Sequence, residues 1–239
     1  LHFILKKTKK YPLYQMAESF KLYISHRCPY CKPIIHFVNN TKLAHEEIQI
    51  DLAKGEQRQP EYLAINPFGK VPAIIENDGF ILFESSTVLR YLCNTRNVPD
   101  HWYPKEPKAR SQVDLFFDWF QVGTKTFAQY AFGGIPSMAA KFPVIGDRLE
   151  NLENTLKELS KNFLRTRKFL AGEEISLADI QIIFFFSWLE VVNYDLEKFP
   201  ELKEWKARVL ATSIKKDYDD YLEGTNKYIE SLKSQDKKE

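Results

Sequence analysis

Apolar and polar positions alternate through a short run from Lys21, where the β-formers Leu22, Tyr23 and Ile24 predict a strand feeding directly into Cys28-Pro29-Tyr30-Cys31. Pro29 stands where a helix would begin, with Cys28 just outside as its N-cap, and the helix's apolar face would be Ile34, Ile35, Phe37 and Val38. His45 to Asp51 then alternates charge with isoleucine, as a strand does, which completes a β-α-β unit. Lys54 to Leu63 is polar and predicts only an irregular helix, and Asn66-Pro67-Phe68-Gly69-Lys70 is a turn cluster. Val71 to Ile75 is an apolar strand whose proline falls where no ladder N–H is needed. Asn77-Asp78-Gly79 makes a hairpin turn, and Phe80 to Phe83 returns antiparallel. Glu84-Ser85-Ser86 opens the next helix, Thr87 to Arg96, with Ser85 or Ser86 as its cap. The predicted order is β-α-β-α-β-β-α.

From Val98 to Pro107 the chain carries Pro99, Pro104 and Pro107 amid His101, Trp102 and Tyr103, the composition of a packed linker. Beyond it the period becomes helical. Ala109 to Phe127 places Val113, Phe116, Phe117 and Phe120 on one face, and Pro143 to Arg165 reads as one long amphipathic helix with Leu149, Leu152, Leu156, Leu159 and Phe163. Ser176-Leu177-Ala178-Asp179 is a capping box ahead of Ile180 to Val192, a helix apolar nearly all round and therefore expected in the middle of its domain. Pro200 to Ala211 and Tyr218 to Leu232 supply further helices. The expected organisation is an arm at 1–17, an α/β domain at 18–97, the linker at 98–107, an all-helical domain at 108–232 and a charged tail at 233–239.

Composition narrows the classes. A length of 239 residues suits two ordinary domains, and a formal charge of +2 from 34 basic and 32 acidic residues gives no drive toward nucleic acid or anionic lipid. Three cysteines, an odd count, argue against a secreted disulfide scaffold and fit a reducing compartment. No apolar run reaches a membrane span, because Gln181, Ser187 and Glu190 interrupt the most apolar window, so a soluble protein is expected. The chain starts at Leu1 and carries the acid-free run Lys6-Lys7-Thr8-Lys9-Lys10, which leaves two expectations: a cytoplasmic protein cut short, or a mitochondrial one whose presequence has been trimmed.

The candidate chemistry is at Cys28. Free N–H groups at a helix start, the positive end of its dipole, and the nearby Arg27 and Lys32 all favour a thiolate there. Cys31, three residues on, could close a disulfide with it or act as the resolving thiol. A C-x-x-C before a helix in a strand-helix-strand setting marks a thioredoxin-like redox site; two small half-buried residues without chemistry is the competing reading. No metal site is expected, since tetrahedral zinc needs four ligands and no second C-x-x-C or close histidine pair supplies the others. Cys93, in Thr87-Val88-Leu89-Arg90-Tyr91-Leu92-Cys93, reads as an ordinary core thiol.

Taken together, the strand-CPYC-helix, the run Asn66 to Ile74 (NPFGKVPAI), Glu84-Ser85-Ser86 opening a helix, and Phe169 to Ile180 (FLAGEEISLADI) resemble a cytosolic-type glutathione transferase. Val98 to Trp119 is similar to the theta class within that family. The resemblance implies an N-terminal thioredoxin-like domain that binds glutathione as co-substrate, an all-helical C-terminal domain that shapes a second-substrate pocket, and a homodimer. Carried over position by position, it makes Pro72 the family's cis-proline, freeing the Val71 backbone to pair with the cysteinyl unit like an added strand. Glu84 and Ser85 would grip the γ-glutamyl end, and Lys70 and Gln57 would reach the glycyl carboxylate. The departure is at the reacting group. Theta-class members carry a serine where Arg27 stands, Ser25 lies two positions further back, and Cys28 precedes the proline as in omega-class, dehydroascorbate-reductase and glutaredoxin-type proteins. The implied activities are thiol transfer or reduction, with Cys28 attacking and Cys31 or glutathione resolving, and conjugation of glutathione to a hydrophobic electrophile. The alternative is a non-catalytic subunit of a larger assembly that keeps the fold. Phe116, Trp119, Phe120 and Phe127 would line the second pocket or else be core aromatics.

Overall fold

In β1 (Phe20–Ile24) the alternation buries Phe20, Leu22 and Ile24 and leaves Lys21 exposed. Burying each such side chain contributes about 1.5–3 kcal/mol. The structure is a computed structural model and describes residues 19–236, so the arm at 1–17 and positions 237–239 of the tail lie outside the described residues. After β1 come α1 (Lys32–Asn40), β2 (His45–Gln49), a 3-10 turn at Glu56–Arg58, α2 (Pro60–Leu63), β3 (Ala73–Ile75), β4 (Ile81–Phe83) and α3 (Ser85–Thr95). The strands form one sheet in the order β2-β1-β3-β4, with β1 and β2 parallel and the other pairs antiparallel. This is the thioredoxin-like half that the residue pattern predicts.

In this half two helix starts differ from expectation. Regular helix begins at Lys32 with Cys31 as N-cap, so Cys28 lies in the turn before it and does not cap α1. The reason is Pro33, which has no N–H to give to Pro29, so the ladder is broken one turn after the point where Pro29 invites a start. α3 starts at Ser85, two residues before the predicted Thr87, and neither serine caps it: Glu84 holds the N-cap position without a side-chain bond. Both hydroxyls are engaged with the helical half instead.

That half contains α4 (Pro107–Gly123), α5 (Lys125–Phe132), α6 (Pro136–Ala139), α7 (Arg148–Leu159), α8 (Leu177–Val191), α9 (Pro200–Leu210) and α10 (Ile214–Asp236). The predicted helix at 109–127 is divided at Thr124 into α4 and α5. The predicted long helix at 143–165 is only α7 followed by a wider π-type turn at Ser160–Leu164. Gly146, at φ 78°, breaks the chain before α7, and the Asp147 carboxylate accepts from the N–H groups of Leu149 and Glu150. Leu149 consequently faces solvent.

α8 is the centre of the helical half, buried from Leu177 to Leu189. Its capping box is present as predicted, and the wholly buried Asp179 carboxylate also accepts from Leu170 N at 2.9 Å and Trp205 Nε1 at 2.8 Å. Gln181 and Ser187, which break the apolar window in the sequence, are buried with it and hydrogen-bonded. The two halves interlock through aromatics: Trp102 of the linker sets its edge on Phe37 at 5.8 Å, and Tyr30 enters the helical core between Phe120 and Phe185, at 5.8 and 5.1 Å. Among the described residues no helix is long and apolar enough to cross a membrane.

Candidate active site

Sheet register gathers the candidate residues at one end. Ala73 pairs with Tyr23 on one side and Phe83 on the other, so Val71-Pro72, the chain leaving β1 toward Cys28, and Glu84-Ser85 all emerge from that edge of the sheet. The Cys28 turn is closed by its own N–H to Ser25 O at 2.9 Å and by Cys31 N to Cys28 O at 3.0 Å. Its sulfur then lies 3.8 Å from Val71 O, beside the cis Val71–Pro72 bond.

The two thiols are differentiated. The neighbouring Cys31 thiol holds Cys28 below the ordinary thiol range against the opposing effect of burial; the N–H groups of Tyr30 and Cys31 and the charge of Lys141 add to it. Cys31 is fully buried, and burial together with its donation to Cys28 pushes its own thiol well above the ordinary value. One sulfur is poised to attack and the other is held protonated beside it.

The cations that the sequence offered for this task are spent elsewhere. Arg27 lies over the Tyr228 ring of α10 at 5.2 Å. Lys32 is buried over the Tyr221 ring at 5.6 Å, and burial lowers its pKa. The cation that does favour the Cys28 thiolate is Lys141, from the turn after α6, far away in sequence and without a motif around it. Alkylation should therefore separate the cysteines. Iodoacetamide is expected to label Cys28 below the pH at which ordinary thiols react, and faster than Cys93, whose thiol burial pushes up to about 12. Cys31→Ala removes the donor, so the Cys28 labelling profile should move to higher pH; a mass-spectrometric profile unchanged by it would contradict the pairing.

The remaining candidates flank this centre. Val71 is buried. The Lys70 carbonyl accepts from Tyr62 Oη and Asn66 Nδ2, both at 2.7 Å, which leaves its side chain to extend into solvent. Gly69, at φ 59°, packs so tightly that a Cβ there would come within 2.9 Å of Gln57 O, so only glycine lets the turn carrying Lys70 close against the one carrying Gln57. Gln57 Oε1 is buried without a partner among the described residues. Glu84 has φ 69° and ψ 116°, a conformation that costs a non-glycine residue about 1–3 kcal/mol and that clusters at ligand-binding positions. Ser85 is buried, and its Oγ accepts from Gln181 Nε2 at 2.8 Å. Phe116, Phe120 and Phe127 are wholly buried core aromatics, so they do not line an open second pocket; Trp119 is half-buried and donates to Glu158.

Both halves of the fold have counterparts among known proteins. A family model described as the N-terminal domain of glutathione S-transferase matches residues 27–95, and another described as its C-terminal domain matches residues 106–212. Human glutathione S-transferase theta-2 is 35% identical over 174 residues, covering 68% of this chain and 68% of that protein. Human glutathione S-transferase T1-1 in its apo form superimposes with a TM-score of 0.76 at 28% identity, covering 87% of this chain and 90% of that one. A human theta-class enzyme in complex with the glutathione conjugate of 1-menaphthyl sulfate gives a TM-score of 0.77 at 27% identity, over 92% and 91% of the two chains.

Proposed function

The chain belongs to the glutathione S-transferase family, and we propose that it is a transferase with a theta-like body in which the reacting group is the Cys28 thiolate. It uses glutathione as co-substrate. The observation that carries the thiol reading is the position of Cys28 Sγ at 3.8 Å from Val71 O, beside the backbone on which the cysteinyl unit of glutathione would pair as an added strand. Glu84 and Ser85 then meet the γ-glutamyl ammonium and carboxylate, and Lys70 and Gln57 the glycyl end.

In thiol transfer the Cys28 thiolate attacks a disulfide R–S–S–R′. The Cys28–S–R bond forms as S–S′ breaks, and R′–S⁻ leaves and takes a proton from water. A glutathione thiolate then attacks this mixed disulfide at the R-bearing sulfur and restores Cys28, or Cys31 resolves it from within. In the first case a second glutathione reduces the released G–S–S–R; in the second, R–S⁻ leaves as the Cys28–Cys31 disulfide forms and two glutathiones in turn reduce it, so that either way two glutathiones are oxidised for each disulfide reduced. Conjugation is the second reading, favoured by the likeness to the theta-class enzyme solved with a glutathione conjugate. There the glutathione thiolate itself displaces a leaving group from an electrophile, and Cys28 serves only as its neighbour.

The reading extends to assembly and place. A homodimer is consistent with the exposure of Phe80 and Ile81 at β4 and of Leu115 and Val122 on α4, and three free cysteines suit a reducing cytoplasm. We take 18–97 as the glutathione-binding unit, 98–107 as the linker and 108–232 as the helical unit. Retention on immobilised glutathione with release by free glutathione tests the binding, and a protein that passes through the column sinks it.

A further inference from the structure

Gln181 is the polar residue that the apolar sequence of α8 least accommodates. It is wholly buried, two residues beyond the Asp179 network that locks the start of α8, and 96 positions from the serine it touches. Its Nε2 donates to Ser85 Oγ at 2.8 Å, while its Oε1 has no partner among the described residues. A buried acceptor left unpaired costs free energy, and a long polar side chain at the core of a helical bundle is not retained for packing. As placed, one N–H of Nε2 is bonded to Ser85; reversed, Oε1 would instead accept the Ser85 hydrogen.

The direction of this bond decides what Ser85 can do. A hydroxyl has one hydrogen to give. Because Gln181 donates to Ser85 Oγ, that hydrogen is not consumed among the described residues and is available to an anionic ligand group; if the partner were an acceptor, it would turn inward. We propose that Gln181 is a positioning residue for glutathione: from the helical half it orients the Ser85 hydroxyl as a donor to the γ-glutamyl carboxylate. This rests on the reading of Ser85 as part of the glutathione site. It also makes the competence of that site in the sheet half depend on correct docking of α8.

The test compares two ligands on the full chain by titration calorimetry: glutathione, and 4-aminobutyryl-cysteinyl-glycine, which keeps the amine and the thiol but lacks the carboxylate. Gln181→Met keeps the volume without the donor. It should weaken glutathione about tenfold, the size of a lost hydrogen bond to a charged group, and change binding of the carboxylate-free peptide by less than about twofold. Gln181→Glu keeps volume and polarity but can accept the Ser85 hydrogen, so its loss for glutathione should exceed that of Gln181→Met. It also carries the comparison if Gln181→Met does not fold. At saturating glutathione, kcat should stay within about twofold while KM rises, since the carboxylate lies at the end of the tripeptide away from the sulfur. A purely structural role would weaken both ligands alike, and that result, or no change for either, overturns the proposal. Wild-type protein that binds neither ligand would instead overturn the glutathione reading beneath it.

Discussion

Cys28→Ser is expected to abolish reduction of hydroxyethyl disulfide, by roughly a thousandfold or more, while leaving turnover with an alkyl halide or nitroaromatic largely intact. A serine hydroxyl is almost fully protonated at neutral pH and forms no mixed disulfide, whereas Cys28 is held toward the thiolate by the Cys31 donor, two backbone N–H groups and Lys141. Conjugation asks only that the glutathione thiolate be stabilised, which a hydroxyl at the same place does by donating to it. Cys31→Ser should keep much of the disulfide activity, because glutathione also resolves the intermediate and the serine hydroxyl still donates toward Cys28. The deciding measurement is the pair of activities on wild type and Cys28→Ser. Disulfide reduction that survives in the serine variant would remove Cys28 from the mechanism, and the conjugation reading would stand alone.

The second large effect concerns folding. Asp179→Ala should destabilise the protein by about 3–5 kcal/mol, because it strips the acceptor from four buried donors at once: Ser176 N, Ser176 Oγ, Leu170 N and Trp205 Nε1. Burial holds this carboxyl above its ordinary value, so the donors do not fully offset the hydration its charge has lost. Ser176→Ala, which removes a single cap oxygen, should cost only about 1 kcal/mol. Urea unfolding separates them: with a slope of about 2–3 kcal/mol/M, Asp179→Ala should lower the midpoint by roughly 1–2 M. A midpoint shift for Asp179→Ala no larger than that for Ser176→Ala would show that the network does not anchor α8.

The residues that could be placed from sequence share one property: their structure is set by neighbours a few positions away. The Ser176–Asp179 capping box, the alternation in β1 and the turn at Asn77-Asp78-Gly79 all show in a short window and all reappear in the fold. The candidate site rests on motifs, at Cys28-Cys31, Val71-Pro72 and Glu84-Ser85, and the sheet register brings these to one end of the fold. What could not be seen depends on partners far along the chain. Ser85 looks like a helix cap because its true partner, Gln181, lies on another helix. Arg27 and Lys32 look like the cations of the thiolate because adjacency is all a sequence offers, whereas α10 draws both onto tyrosine rings. The overlong helix at 143–165 has a local cause: an apolar period continues on paper through Pro143 to Asp147, where Gly146 and the Asp147 cap start the helix afresh.

The aromatic wedge at Tyr30 bears on how such a protein can be recombined. Its ring belongs to the Cys-Pro-Tyr-Cys motif but is seated between Phe120 and Phe185, and its hydroxyl lies 3.5 Å from Thr124 Oγ1. The thiol motif is therefore half of a joint whose socket is built by α4 and α8. A chimera that took residues up to the linker from this chain and the helical half from a relative would transplant both cysteines without their seat, and the turn presenting Cys28 would inherit whatever shape the foreign socket imposed. Modules that look separable along the chain are matched parts, and position 30 would have to travel together with its receptors at 120, 124 and 185.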